Sequence, residues 1–269
     1  MPHATNRNVP YTRLAEFYDT LAAYAPPMNR HARHALLKSV AHDVTSACDL
    51  ACGSGETALD LARDGLRVFA VDWAPRFCRA VRGKARAAGL DVTVVQSDMR
   101  TFRLPEPVDL VVCEFAALNN LDRHSGLGRT FGAVRRALKP GGYFLFDVNS
   151  TLSFRTQVTP VQWVDTPKFK LVIHGRFEDG GRRATLELEW FVPRGKAFAH
   201  EREVIHHVAW TDAEIRAALR KAGLELVRAA DGVDVRPPMD GMTRGTDLYY
   251  LARRPGGGGT RRRRSKSVR

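Results

Sequence analysis

A chain of 269 residues, 44% apolar and 26% charged, has the composition of an ordinary soluble protein and is long enough for one large α/β domain, with or without an insertion. No run of about 18 apolar residues occurs, which argues against a membrane-spanning helix, and the opening M-P-H-A-T-N-R-N-V-P lacks the apolar stretch of a secretory signal. The net charge of +13 suggests a nucleic-acid partner only until it is divided, because Arg253 onward holds eight basic residues and no acid, leaving +5 for the body.

In chain order, Tyr11 to Tyr24 and Met28 to Val44 read as two helices separated by Pro26-Pro27, so that residues 1–44 form a helical segment ahead of the core. Strand and helix patterns then alternate through 45–150. Strands are expected near 47–51, 67–72, 92–96, 108–113 and 142–148, with helices near 55–64, 75–88 and 125–138. Gly65 and Gly89 stand where helix C-termini belong. This alternation predicts a doubly wound, mostly parallel sheet with helices on both faces. Ligands bind such sheets at the carboxyl ends of strands, and Asp49, Asp72, Asp98 and Glu114 all fall there.

After Val148 the period changes to two. Residues 151–210 contain F-K-L-V-I-H-G-R-F, A-T-L-E-L-E-W-F-V and H-E-R-E-V-I-H-H-V-A-W, an antiparallel insertion of three strands following the fifth core strand. Glu178-Asp179-Gly180-Gly181 supplies a hairpin turn between the first two. Residues 211–253 return to the core: Thr211 and Glu214 form a capping box, and L-E-L-V-R and D-L-Y-Y-L-A complete the sheet. The low-complexity tail, residues 254–269, is expected to be disordered, and only it offers nucleic acid a weak, salt-dependent contact. Cys48, Cys52, Cys78 and Cys113 show no metal spacing; they read as free thiols in a reducing cytoplasm, with no metal site.

The most informative stretch is D-L-A-C-G-S-G, Asp49 to Gly55, between a strand and a helix. Its glycines let backbone approach a ligand, and helix amides then face it. Asp72, which closes the strand R-V-F-A-V-D, is placed to accept hydrogen bonds from both hydroxyls of a ribose. Gly53, Gly55 and Ala58 formally satisfy the dinucleotide pattern G-x-G-x-x-G/A. Against a nicotinamide cofactor stand the acid at Asp49, which suits a cationic amino group rather than a pyrophosphate, and the Q-S-D-M segment after the third strand. L-K-P-G-G, Leu138 to Gly142, turns a helix into the strand Y-F-L-F-D-V.

Taken together and in order, D-x-x-C-G-S-G, V-D, S-D-M-R and L-K-P-G-G resemble the class I S-adenosylmethionine-dependent methyltransferases. The resemblance covers Tyr11 to Val148 and again Trp210 to Ala252. It implies the seven-stranded Rossmann-like fold of that family, S-adenosyl-L-methionine as cofactor and 1–44 as a lid. Ala51 departs from the family, which often has glycine there. Y-T-R-L-A-E-F-Y-D-T-L and D-M-R-T-F-R-L look more closely like small-molecule enzymes, the amino-sugar and glycine-type N-methyltransferases.

On that resemblance Asp72 takes the ribose, Trp73 packs on the adenine face, Asp98 accepts the adenine amine and Met99 packs on the ring or donates its N–H. Gly53, Gly55 and Ala51 allow close approach, and Asp49 meets the amino group of the methionine part. Glu114 and Phe115 leave the fourth strand beside the methyl centre. Tyr11 and Tyr18, on the closing helix, are placed to steer the sulfonium or the nucleophile. An amine acceptor needs no strong base, whereas an alcohol or phenol does. The histidine candidates are His206, whose neighbour His207 must face the other way, and His124 after the fourth strand. Asn119 and Arg244 are candidates for substrate contact, with an ion pair to Asp240 or Asp247 the plainer role for Arg244.

The expected activity is methyl transfer to a nitrogen or oxygen of a small molecule. A nucleic-acid methyltransferase is the rival within the fold, but C-E-F-A stands where base-amine enzymes usually carry N-P-P-Y, and Cys113 lacks the flanking proline of a cytosine nucleophile. A non-catalytic cofactor-binding or interaction module is the alternative of another class. Insertions of this sheet type sometimes mediate homodimers.

Overall fold

The computed structural model describes residues 11–256 apart from 24, 41–42, 122–124, 159–160, 179, 181 and 239–242. Helices α1 (Leu14–Leu21) and α2 (Ala25–Leu37) precede β1 (Ser46–Leu50), α3 (Glu56–Arg63), β2 (Arg67–Asp72), α4 (Pro75–Ala87), β3 (Val92–Gln96) and β4 (Val108–Cys113). A 3-10 turn (Ala117–Asn120), α5 (Ser125–Ala137) and β5 (Leu138–Asn149) follow. Next come α6 (Thr151–Gln157), β6 (Gln162–Asp165), β7 (Lys170–Glu178), β8 (Arg183–Arg194) and β9 (Ala197–Val208), and then α7 (Asp212–Ala222), β10 (Glu225–Asp231), α8 (Gly232–Val235) and β11 (Asp247–Arg253).

The core sheet runs β10-β11-β5-β4-β1-β2-β3. β1 to β5 are parallel, and β11 lies antiparallel between β5 and β10. This is the seven-stranded, mostly parallel architecture expected. Because β1 sits between β2 and β4, the strand order reverses there and opens a crevice at the carboxyl ends. All five residues of β1 are buried, as helices covering both faces require. Phe131, Phe144 and Ile215 belong to the core on the face of α5 and α7. Ala32, Leu61, Val81 and Leu145 belong to the core on the face of α2, α3 and α4.

Several local expectations are corrected. Pro26 and Pro27 lie within the first turn of α2, where a fixed φ and a missing N–H cost nothing, rather than between two helices. L-K-P-G-G is not a free turn: Val108 pairs with Leu138 and Leu110 with Tyr143, the irregularity between them absorbing the loop. The insertion contains α6, whose Ser150 caps the Ser153 N–H, and a fourth strand, β6, too short to show a period-two pattern. Asp179 and Gly181 of the expected hairpin turn lie outside the described residues, as do 257–269 of the basic tail. The Thr211–Glu214 capping box is formed as expected.

The antiparallel sheet, β6-β7-β8-β9, packs on α1: Phe17 lies 4.5 Å from Phe169 and 5.6 Å from Trp190. Buried Glu203 on β9 accepts the backbone N–H groups of Thr12, Arg13 and Leu14 at 2.6, 2.7 and 2.9 Å, and Trp190 Nε1–H at 3.1 Å. A carboxylate at a helix N-terminus satisfies orphan donors and complements the helix dipole. The second sheet thereby holds α1 over the crevice.

Candidate active site

At the exit of β1 the chain makes three left-handed turns, Ala51 (φ 59°), Gly53 (φ 52°) and Gly55 (φ 88°), and no side chain caps the N-terminus of α3. The first amides of α3 thus stay available to a ligand. A methyl group on Gly55 would sit 2.6 Å from Val81 Cγ2, so this glycine is required for helix packing; one on Gly53 would meet only the Tyr18 ring at 3.6 Å.

Asp72 is buried, accepting Gly53 N–H at 3.0 Å and Ala74 N–H at 2.8 Å. Burial pushes its carboxyl up to about 6, against those loop amides. Each oxygen retains a lone pair, which suits the two hydroxyls of a ribose. Asp49, Glu114 and Asp147 are buried beside one another at the ends of β1, β4 and β5, each with one oxygen lacking a partner. Burial and then the charge of Glu114 raise Asp49 to about 8, with Arg33 offsetting part of the shift. Burial likewise raises Asp147 to about 7 and is opposed by Arg236. Glu114 is also raised by burial, with Arg33 and Thr57 bonded to Oε2 at 2.6 and 2.9 Å pulling it back.

A cavity of about 340 Å³ lies here, walled by Asp49, Gly53, Thr57, Glu114 and Phe115 and roofed by Tyr18 of α1. Buried carboxylate oxygens without partners are costly in a finished core. A cation beside Asp49 and Glu114 removes that cost, which fits the ammonium of a methionine moiety. Lys84 at the rim ties α1 to α3 through Asp19 (2.8 Å) and Glu56 (2.6 Å). Tyr11, Tyr18, Phe77 and Trp73 form a continuous aromatic strip, and Tyr18 also meets Phe115 edge-on at 6.3 Å.

The candidates drawn from sequence divide sharply. Asp49, Ala51, Gly53, Glu114, Phe115 and Tyr18 surround the cavity, and Asp72 bonds the loop that forms its wall. Tyr11 sits in the left-handed region and donates to Asn120 Oδ1 at 2.5 Å, beside Trp73, which is 44% exposed. Asp98 is half-buried and engaged by Arg100, whose backbone N–H donates at 2.8 Å and whose guanidinium donates at 2.6 Å and holds the carboxyl below its usual range. Met99 packs against the adjacent core.

Asn119 does not face the site. It is fully buried, donates to Asn149 O (2.9 Å) and Val208 O (2.7 Å), and accepts from Asn149 N–H (2.9 Å). The exposed neighbour Asn120 turns the other way and accepts from Tyr11, since in a tight 3-10 turn consecutive side chains point apart. Arg244 forks onto Asp234 at 2.8 and 2.7 Å rather than onto Asp247, and lines no part of the cavity; Asp240, the other expected partner, lies outside the described residues. His206 is exposed and hydrogen-bonded with Thr185 at 3.2 Å. His207 packs against Phe154, and burial, with His206 next, lowers it to about 4. Neither histidine lines the cavity, and His124 lies outside the described residues.

Sequence alone did not single out Arg33, Thr57, Lys84, Asn120 or Asp147. Asp147 carried a signal, an acid ending an apolar strand like Asp49 and Asp72. Arg33 carried none, because its burial depends on how α2 docks.

Residues 47–142 match the model of a methyltransferase domain. The chain is 26% identical over 230 residues, 84% of its own length and 92% of the relative's, to the "Putative methyltransferase YqeM" of Bacillus subtilis. Its fold is similar to that of an S-adenosylmethionine-dependent methyltransferase of Clostridium acetobutylicum, with a TM-score of 0.76 and 22% identity over 92% of this chain and 99% of that one. It is also similar to a sugar N-methyltransferase of a Streptoalloteichus species, with a TM-score of 0.72 and 21% identity over 95% and 96% of the two chains. The chain thus carries a methyltransferase domain over residues 47–142 and has the fold of the class I S-adenosylmethionine-dependent methyltransferases, with an acid-lined cavity beside the glycine loop.

Proposed function

We propose that this enzyme transfers the methyl group of S-adenosylmethionine to the nitrogen of a small-molecule amine. The observation that carries the proposal is the wall of the cavity: carboxylates, tyrosine and phenylalanine line it, and no histidine does among the described residues. An amine attacks as its neutral form and needs only alignment, whereas an alcohol or phenol calls for a base. The likeness to a sugar N-methyltransferase supports the same acceptor.

The cofactor supplies an activated methyl group on a sulfonium, and the protein supplies position and dryness. Asp72 holds the ribose, with Trp73 and Asp98 on the adenine side. Asp49 and Glu114 hold the ammonium. Tyr18, lying over Gly53 and against Phe115, closes the reacting centre from water on one side. Tyr11 and Asn120, hydrogen-bonded to each other beside Trp73, are the candidates to orient the acceptor in place of Asn119.

Methyl transfer from radiolabelled S-adenosylmethionine to panels of amino sugars, other small amines, phenols and alcohols tests this reading. Turnover confined to amines is expected. Turnover confined to hydroxyl acceptors, lost in a variant of His124 or His206, would sink it.

A further inference from the structure

Arg33 is a buried cation on α2, 5% exposed. Its guanidinium donates to Glu114 Oε2 at 2.6 Å and approaches Asp60 Oδ2 of α3 at 3.8 Å. Asp60 is itself buried and held from outside by Arg30 and by Arg63. A line of alternating charge therefore runs from the solvent side of α2 and α3 to the cavity wall. It ends on Glu114, where Arg33 and Thr57 share one oxygen and Oε1 is without a partner.

Everything else around Glu114 opposes its ionisation. Asp49 on β1 and Asp147 on β5 repel it, as does Asp60 beyond Arg33, and Cys113 and Tyr249 offer no compensating charge. Arg236, the residue just after α8, acts on Asp147. A buried acid so surrounded takes up a proton unless a fixed cation faces it. A neutral Glu114 would lose most of its attraction for an ammonium group.

We infer that Arg33 is a positioning residue for cofactor binding: it keeps Glu114 ionised and fixed at the cavity wall, and so sets the affinity for the amino-acid end of the cofactor without touching it. This rests on the cofactor reading above. It makes a distinction that a merely structural arginine does not, because the adenosine end of the ligand lies at Asp72, Trp73 and Asp98.

The test is calorimetric titration of the full chain with S-adenosylhomocysteine and with 5′-methylthioadenosine, which keeps the nucleoside and lacks the amino acid. In Arg33→Met the affinity for S-adenosylhomocysteine should fall about tenfold or more, the effect of losing a charge-assisted hydrogen bond, while that for 5′-methylthioadenosine stays unchanged. The loss should shrink from about pH 6.5 to about pH 8.5 as the unsupported carboxyl ionises. In a Glu114→Gln background, adding Arg33→Met should cost little more. Removing one partner of a buried pair can prevent folding, so Arg33→Lys and the neutral Arg33→Met/Glu114→Gln pair carry the same comparison, with circular dichroism as the folding check. Equal losses for both ligands, or a full further loss in the Glu114→Gln background, would overturn the inference. Wild-type protein that binds neither ligand would overturn the cofactor reading instead.

Discussion

Two glycines of D-L-A-C-G-S-G have different physical duties, and one pair of substitutions separates them. In Gly55→Ala the new methyl meets Val81 Cγ2 at 2.6 Å and Cγ1 at 3.0 Å, and Val81 is fully buried with nowhere to move. The residue also keeps φ 88°, where an L side chain costs about 1–2 kcal/mol. Overpacking a closed core adds about 1–3 kcal/mol, so the expected destabilisation is about 2–5 kcal/mol, read as a lower urea midpoint at unchanged m-value. Val81→Ala in the same chain removes the clash, and the two changes should be coupled favourably by about 1–3 kcal/mol.

Gly53→Ala is the counterpart. Its φ of 52° is one that Ala51 already tolerates two residues earlier, and its methyl finds only the Tyr18 ring at ordinary contact distance. The fold should lose about 1 kcal/mol. The methyl, however, projects into the space between the glycine loop and Tyr18, so affinity for S-adenosylhomocysteine should fall by about tenfold or more, the loss of a close backbone approach. If Gly55→Ala unfolds within about 1 kcal/mol of wild type, or if Gly53→Ala binds the ligand as wild type does, the assignment of duties is wrong.

Asn119→Ala strands the backbone groups of Asn149 and Val208 that the amide now satisfies, so a loss of roughly 2–4 kcal/mol in unfolding free energy is expected, with KM unchanged in the folded fraction. Ala51→Gly relieves a left-handed alanine and should raise the urea midpoint by the equivalent of about 0.5–1 kcal/mol. Asp49, Asp147 and Asp72 hold their protons to about 8, 7 and 6 in the fold against an ordinary 3.8. The folded chain therefore binds more protons than the unfolded one across that window, and stability should fall as pH rises through it. Two groups work oppositely: Glu214, drawn down to about 2 by Arg182, only below its ordinary 4.5, and His207, held to about 4 by burial, below its ordinary 6.5, where the three carboxyls outweigh it. Thermal melts of the ligand-free protein should show a higher midpoint at pH 5 than at pH 8, and Asp147→Asn should flatten the fall; a midpoint that climbs over this range would refute the sign.

Most of the core was legible because its signals are local. β2, β3 and β4 begin and end at the expected residues, and α3, α4 and α5 agree to within a residue or so, since strand runs bounded by glycine and polar turns need no tertiary information. The glycine loop and Asp72 were equally legible, because spacing along one βα unit fixes their separation. β6 and α6 were not: four residues are too few to show a period, and α6 is set by a single serine cap. The expectation that Asn119 contacts substrate failed for a related reason. Which of two adjacent asparagines turns inward depends on the phase of a one-turn helix, and its phase depends on what packs beneath it.

The acid row shows where local reading ends. Each of Asp49, Glu114 and Asp147 was visible as a charge at the end of an apolar strand, yet nothing local says that β1, β4 and β5 are consecutive in the sheet. Register makes the difference: Asp49 pairs with Val112 and Cys113 with Phe146, which brings the three carboxyls side by side on the face covered by α2. Alone, each would be a helix cap or a surface acid. Side by side and buried, they repel one another, and Arg33 and Arg236 answer only part of that repulsion. An excess of buried negative charge costs stability unless a cation answers it during function. The cofactor carries two positive groups, an ammonium and a sulfonium, and the crevice where the row lies is the place the strand order reserves for it. On the cofactor binding proposed above, the charges that weaken the ligand-free protein as pH rises become favourable once the ligand is bound, so the pH-dependent stability predicted above and a selectivity for a cationic cofactor would have one physical origin.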